Sequence, residues 1–230
     1  MSLTDDFVKE MERRILEGEW KKGEAIPTLR TLAEEFNVSR SVVNAGIVEL
    51  QNKGYLVTVP RKRTVVTDWR KEGTLAVLDG LFENGLMSLE YVSDILDGRR
   101  IVEIAAVRSA AEKRNDEDLR ELWKIIEEEC DETVAISRRI ELDVAFHHTL
   151  AKASHNFVYS ILLKSFEKVV ISLVSKFYEA NFDREYVYSM HRSIFNDIKL
   201  KKVDCAEKDL AELLAQGESI VKSAINKKEE

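Results

Sequence analysis

The chain has four histidines, and three of them, His147, His148 and His155, fall in one short stretch. Asp143 stands four residues before His147. On a helix that spacing puts the two side chains about 40° apart on one face. A carboxylate and an imidazole so placed can share a divalent metal. His148 points about 100° further round and should face elsewhere. His191, on a later segment, is a candidate to converge with the pair. Any one histidine alone would more often be an ordinary core or surface residue, so the set of Asp143, His147 and His191 carries the metal reading. With an open coordination position such a set can activate water, which makes a metal-dependent hydrolase fused to a second module a rival reading. Against it, no separate carboxylate or histidine is identifiable as a general base. Neither a Gly-rich phosphate loop nor a nucleophile-elbow pattern occurs.

A second group of residues points to a different chemistry. Net charge is −7, yet within residues 37–70 Arg40, Lys53, Arg61, Lys62, Arg63 and Arg70 face only Glu49 and Asp68, leaving that segment at +4. A local basic stripe on an acidic protein fits a DNA footprint. Ser39, Arg40, Ser41 and Asn44 fall in the opening turns of one helical segment, the part of a recognition helix that approaches base edges. Arginine suits guanine and asparagine suits adenine. Thr28 and Arg30 open the preceding helix, whose N-terminus can donate to phosphate. The bland reading is that Arg30 and Arg40 pair with Glu34, Glu35 or Glu49, and such surface pairs are weak.

These residues need elements to position them. The chain has 230 residues, 44% of them hydrophobic and 33% charged, ample for a core. Both prolines, Pro27 and Pro60, lie in the first third, and only nine glycines occur. That composition disfavours an all-β fold and predicts a mainly α protein, broken near its start and nearly continuous helix thereafter. Helical periodicity predicts a first helix over 4–17, capped by Thr4, with Phe7, Met11 and Ile15 inward. A loop between Gly18 and Gly23 follows, then helices over 29–36 and 40–53, the last stopped by Gly54. Two β-branched runs, 55–59 and 64–67, flank a basic tip and read as a hairpin. The order is that of a winged helix-turn-helix. Residues 70–75 read as a linker. Helices are expected over 75–85, 88–113, 116–134, 137–153, 156–180, 183–201 and 204–226, forming an all-α antiparallel bundle. The domains are thus 1–69, a DNA-binding winged helix-turn-helix with a small β-hairpin wing, and 76–226. Trp123, Phe146, Phe157, Phe166, Phe177 and Phe195 read as core, and Glu127 to Glu129 as a solvated face. Cys130 and Cys205 are too few for a disulfide framework or a cysteine zinc site. No apolar run reaches the ~18–20 residues of a membrane span, and a cytoplasmic protein is expected.

Within residues 18–54, the Gly18-x-x-x-x-Gly23-x-x-x-Pro27 entry and the Val38-Ser39-Arg40 turn resemble the winged-helix domain of the GntR family of bacterial transcription regulators, a likeness covering about residues 5–67. The resemblance implies DNA contacts by Arg30 and Arg40. The family usually has arginine where Asn44 stands, and it favours a glycine-bearing wing tip where this chain has Arg61-Lys62-Arg63. Asp143-Val-Ala-Phe146-His147 and Ser154-His-Asn156, with Arg99-Arg100-Ile-Val-Glu103 and His191-Arg-Ser-Ile194, resemble the all-helical FCD effector domain of the FadR subfamily, over about residues 75–222.

Metal-binding members of that subfamily use one Asp and three His. The resemblance places Asp143, His147 and His191 at three of these positions and Gln216 at the fourth, where it departs from histidine. It implies a zinc, nickel or manganese ion and a small carboxylate effector, with Arg99, Arg100 and Asn156 as effector-binding residues. A metal-independent or vestigial pocket is the alternative. The expectation is therefore a non-enzymatic regulator, a repressor, that binds a pseudo-palindromic double-stranded operator as a homodimer, away from any membrane.

Overall fold

The computed structural model describes residues 2–59, 63–179 and 184–226, apart from the side chains of residues 176, 177, 179 and 224–226. The chain forms two compact units, Met1–Met87 and Ser88–Glu230.

In the first unit, α1 (Leu3–Leu16) begins in a reciprocal cap, in which the Ser2 hydroxyl accepts from the Asp5 amide and the Asp5 carboxylate accepts from the Ser2 amide. Thr4, the expected cap, is already inside the helix. Phe7, Val8, Met11 and Ile15 form its buried face. They meet α2 (Leu29–Glu35) and α3 (Arg40–Lys53) through Leu32, Val43, Ile47 and Leu50. Gly46 lets α1 and α3 approach closely, because a Cβ there would lie 2.3 Å from Phe7 Cδ1. Gly54 ends α3 at φ 87°, as expected of a C-terminal glycine.

β1 (Leu56–Thr58) pairs antiparallel with β2 (Thr64–Val66), Leu56 opposite Val66. The segment after Gly23, to which the sequence assigns no element, adds a third edge. Ala25 bridges to Val65, and Ile26 N donates to Thr64 O at 3.0 Å.

The unit does not end at the linker expected over 70–75. Those residues include a helical turn, α4 (Trp69–Glu72), and Thr74 N donates to Lys53 O at 3.0 Å. α5 (Ala76–Glu83) then packs on α1 and buries Val77 and Leu81. The apolar face of α5 thus belongs to the first unit, and the division falls after Met87.

The second unit contains α6 (Leu89–Lys113), α7 (Asp116–Glu129), α8 (Ile136–Ala153), α9 (Phe157–Glu179), α10 (Arg184–Lys199) and α11 (Val203–Asn226). α6 packs on α11 and α8, α8 on α7 and α9, and α10 on α11. Asn115 caps α7 in a reciprocal pair with Asp118. α7 stops at Glu129 although its pattern continued to 134. The buried Arg139 guanidinium explains the stop: it donates to the carbonyls of Glu129 (3.2 Å), Asp131 (2.6 Å) and Val134 (3.2 Å). Phe146, Phe166 and Phe195 are core residues, whereas Trp123 is 40% and Phe157 73% exposed. The Phe177 side chain lies outside the described residues. Among the described residues no helix is long and apolar enough to cross a membrane.

Candidate functional site

Asp143 and His147 lie one helical turn apart on the inward face of α8, and His191 comes from α10; all three are buried. Each offers one ligand atom, and these atoms lie within 4.8 Å of one another. Two glutamates orient the imidazoles. His147 Nδ1 pairs with Glu103 Oε2, and Glu103 Oε1 accepts from Arg99 Nε. His191 Nδ1 lies 2.9 and 3.0 Å from the two oxygens of Glu129. With Nδ1 engaged in each ring, Nε2 is the nitrogen left over. The Phe146 ring stacks on His191 with centroids 3.9 Å apart and holds its plane.

His191 Nε2 is a buried polar atom without a hydrogen-bond partner, and Asp143 Oδ1, at 3.8 Å, is too far to bond it. Buried polar atoms are normally satisfied. This one, beside a carboxylate and a second imidazole whose outer nitrogens are held by carboxylates, fits a divalent metal such as zinc. The charges agree with that arrangement. Burial pushes the Glu103 carboxyl up, but Arg99 and His147 outweigh it and hold the group at about 2. Burial lowers the His191 imidazole, and the charge and hydrogen bond of Glu129 overcome it and raise the group above its ordinary value. His148 faces away, 3.5 Å from Glu167, as its helical phase requires.

The centre opens on a cavity of about 60 Å³, with Asp143, His147 and Arg99 on its wall. Arg100 stands at the same cavity, largely exposed and paired with Asp97 at 2.9 Å. Two of the expected residues stand elsewhere. Gln216 is exposed and absent from the cavity wall, because the phase of α11 turns Leu213, Gly217 and Val221 inward. Asn156 serves the start of α9, its side chain accepting from Val158 N at 3.1 Å, and it does not line the cavity.

The structure also adds Glu129, which composition placed on a solvated face. Leu122, Ile126 and Glu129 follow one another at helical spacing on the buried face of α7, so the inward stripe ends in a carboxylate. That stripe was the available signal. Tyr178 of α9 is a further neighbour: burial, with Asp143 and Glu129 close by, raises its hydroxyl.

In the first unit Thr28, Arg30, Ser39, Arg40, Ser41, Asn44 and Arg63 are all exposed. Thr28 and Ser39 cap α2 and α3. Arg40, Ser41 and Asn44 follow in the opening turns of α3. Arg30 pairs with Glu34 at 2.8 Å on the surface, a contact that yields readily to a phosphate. Arg40 has no ion pair among the described residues. Arg61 and Lys62 lie outside the described residues.

Comparison with known proteins matches residues 3–66 to the bacterial regulatory proteins of the gntR family and residues 94–216 to the FCD domain. The Glc operon transcriptional activator of Escherichia coli K12 is 24% identical over 94% of this chain and 91% of its own length. The galactonate operon transcriptional repressor of the same strain is 25% identical over 94% and 95%. LutR of Bacillus subtilis is 25% identical over 80% and 85%. Among solved structures, Lar, which controls expression of the Listeria monocytogenes agr system, is similar in fold. Its TM-score is 0.64 at 18% identity, covering 96% of this chain and 97% of Lar. These families and relatives are transcription regulators, not enzymes.

Proposed function

Since the chain belongs to the gntR family of bacterial regulatory proteins and carries an FCD domain, the pairing of the FadR subfamily, we propose that it is a cytoplasmic repressor whose grip on its operator is set by a small carboxylate and a divalent metal. The observation that carries this reading is the unpartnered, fully buried Nε2 of His191 beside Asp143 and His147, two residues that line a cavity together with Arg99. Asp143, His147 and His191 would hold zinc, nickel or manganese. The bound ion would supply positive charge for the acid's carboxylate. Arg99 and Arg100 stand where they can meet the same carboxylate.

A homodimer would set two α3 helices on the half-sites of a pseudo-palindrome. Arg40 and Asn44 would read base edges, while Thr28, Ser39, Ser41, Arg30 and the basic wing, Arg61 to Arg63, hold phosphates. Repression follows the galactonate operon relative, although the Glc operon relative is an activator. Effector and operator then influence each other reciprocally, because the acid must bind one state of the dimer more tightly than the other.

A second reading is metal-independent binding of the acid through Arg99 and Arg100. It draws support from the lack of any histidine after His191.

The test uses an operator selected from random duplexes by the full-length protein. Fluorescence anisotropy should show zinc together with candidate acids weakening that complex, and Asp143→Ala abolishing the response without abolishing operator binding. An operator affinity indifferent to metal and to every acid contradicts the proposal.

A further inference from the structure

The wall of the cavity opposite the charged floor is aliphatic. Leu213, Gly217 and Val221 recur every fourth residue along α11 and face inward. Leu173 and Val174 of α9, Val187 of α10 and Leu96 of α6 line the remaining sides. Most of these side chains are buried, Leu213 at 7% and Val221 at 4% exposure. Gly217 lines the cavity with backbone alone. Among the described residues, the ionisable group that α11 brings to the wall is Glu218, and Lys222 Nζ pairs with it at 2.6 Å.

From this division we infer that the effector is an amphiphilic acid, a single carboxylate followed by an unbranched or lightly branched aliphatic tail, and not a polyhydroxylated sugar acid. The inference rests on the acid-binding reading of the same cavity. The carboxylate lies at the floor near Arg99, Asp143 and His147, and the tail runs along α11 past Gly217 toward Val221. Four residues of helix span roughly 6 Å, the reach of about a four- to six-carbon chain. A row of hydroxyls on such a tail would be stripped of water against Leu173, Val187 and Leu213 with no partner offered, which is costly. Each methylene that reaches the wall is removed from water, worth about 0.8 kcal/mol or roughly a fourfold gain in affinity.

Calorimetric titration of the full-length protein with acetate, butanoate and hexanoate, beside galactonate, tests this in both zinc-loaded and metal-free forms. The expected result is affinity that rises about fourfold per methylene, with hexanoate tighter than galactonate. Galactonate binding more tightly than hexanoate, or affinity independent of chain length, overturns the inference while leaving metal binding intact. A chain-length slope in a protein that takes up no zinc supports the inference and removes the metal from the proposed function. Failure of every acid in both forms overturns it. Leu214→Gln, at a half-buried wall position, should flatten the chain-length slope; an unaltered slope likewise overturns the assignment of this wall.

Discussion

The two units use charge in opposite ways. In the first unit the cations proposed to meet DNA are exposed: Arg40 has no ion pair among the described residues, and Arg30 pairs with Glu34 on the surface. In the helical unit one set of charges is buried, and each is held by another side chain or by backbone carbonyls. Arg99 and His147 share Glu103, His191 takes Glu129, and Arg139 binds the carbonyls that end α7. Exposed charge is free to meet a partner outside the molecule and contributes little to folding. Buried charge must be satisfied internally, so it is tied to stability, and His191 Nε2, the buried nitrogen left unsatisfied among the described residues, is the atom proposed to meet a ligand.

The sharpest way to break this comparison is to remove a buried partner. Glu103→Ala leaves Arg99 and His147 without their shared carboxylate, and breaking such a buried pair costs about 3–5 kcal/mol. Urea unfolding should show a loss of that size; a loss below about 1 kcal/mol would mean that the buried network is not what the distances imply. Arg40→Ala should do the reverse. It should cost about 1–3 kcal/mol of discrimination for operator over random duplex, with an unchanged unfolding midpoint. Unchanged discrimination between operator and random duplex contradicts the assignment.

Smaller effects sharpen the contrast. His191 is raised in the folded protein, so it contributes stability to the metal-free form that is fully present below about pH 6.5 and fades as pH rises through the folded value. A metal at Nε2 competes with that proton. The rise in melting temperature on adding zinc should therefore grow from pH 6 to pH 8, and Glu129→Gln should shrink that growth. A zinc-induced rise that does not depend on pH would contradict the assigned nitrogen. Least of all, Arg63→Ala should weaken binding to operator and random duplex alike and lower the salt slope by about one. A selective loss on operator would assign Arg63 to base reading instead.

Much of this was legible beforehand, for identifiable reasons. The recognition helix could be placed because Ser39 and Gly54 are local signals whose effect is felt within a few residues. Asp143 and His147 were paired by helical spacing alone. What stayed hidden depended on distant contacts. Glu129 looked solvated among three glutamates until the inward face of α7 was fixed by Leu122 and Ile126. α5 looked like the start of the helical domain because its apolar face does not say which neighbour it will bury against. Gln216 was misplaced by a single residue of helical phase, about 100°, which turns a side chain from cavity to solvent. Asn156 kept its place in the motif but serves a helix end.

The orphaned Nε2 of His191 is proposed to belong to a metal centre shared with Asp143 and His147. Elemental analysis of tag-free, full-length protein, after reconstitution with zinc, nickel or manganese and removal of excess ion, addresses it directly. About one ion per chain is expected, falling to none in His191→Ala. Protein that retains no ion from any of the three metals, or a His191→Ala variant that keeps its ion, would contradict it.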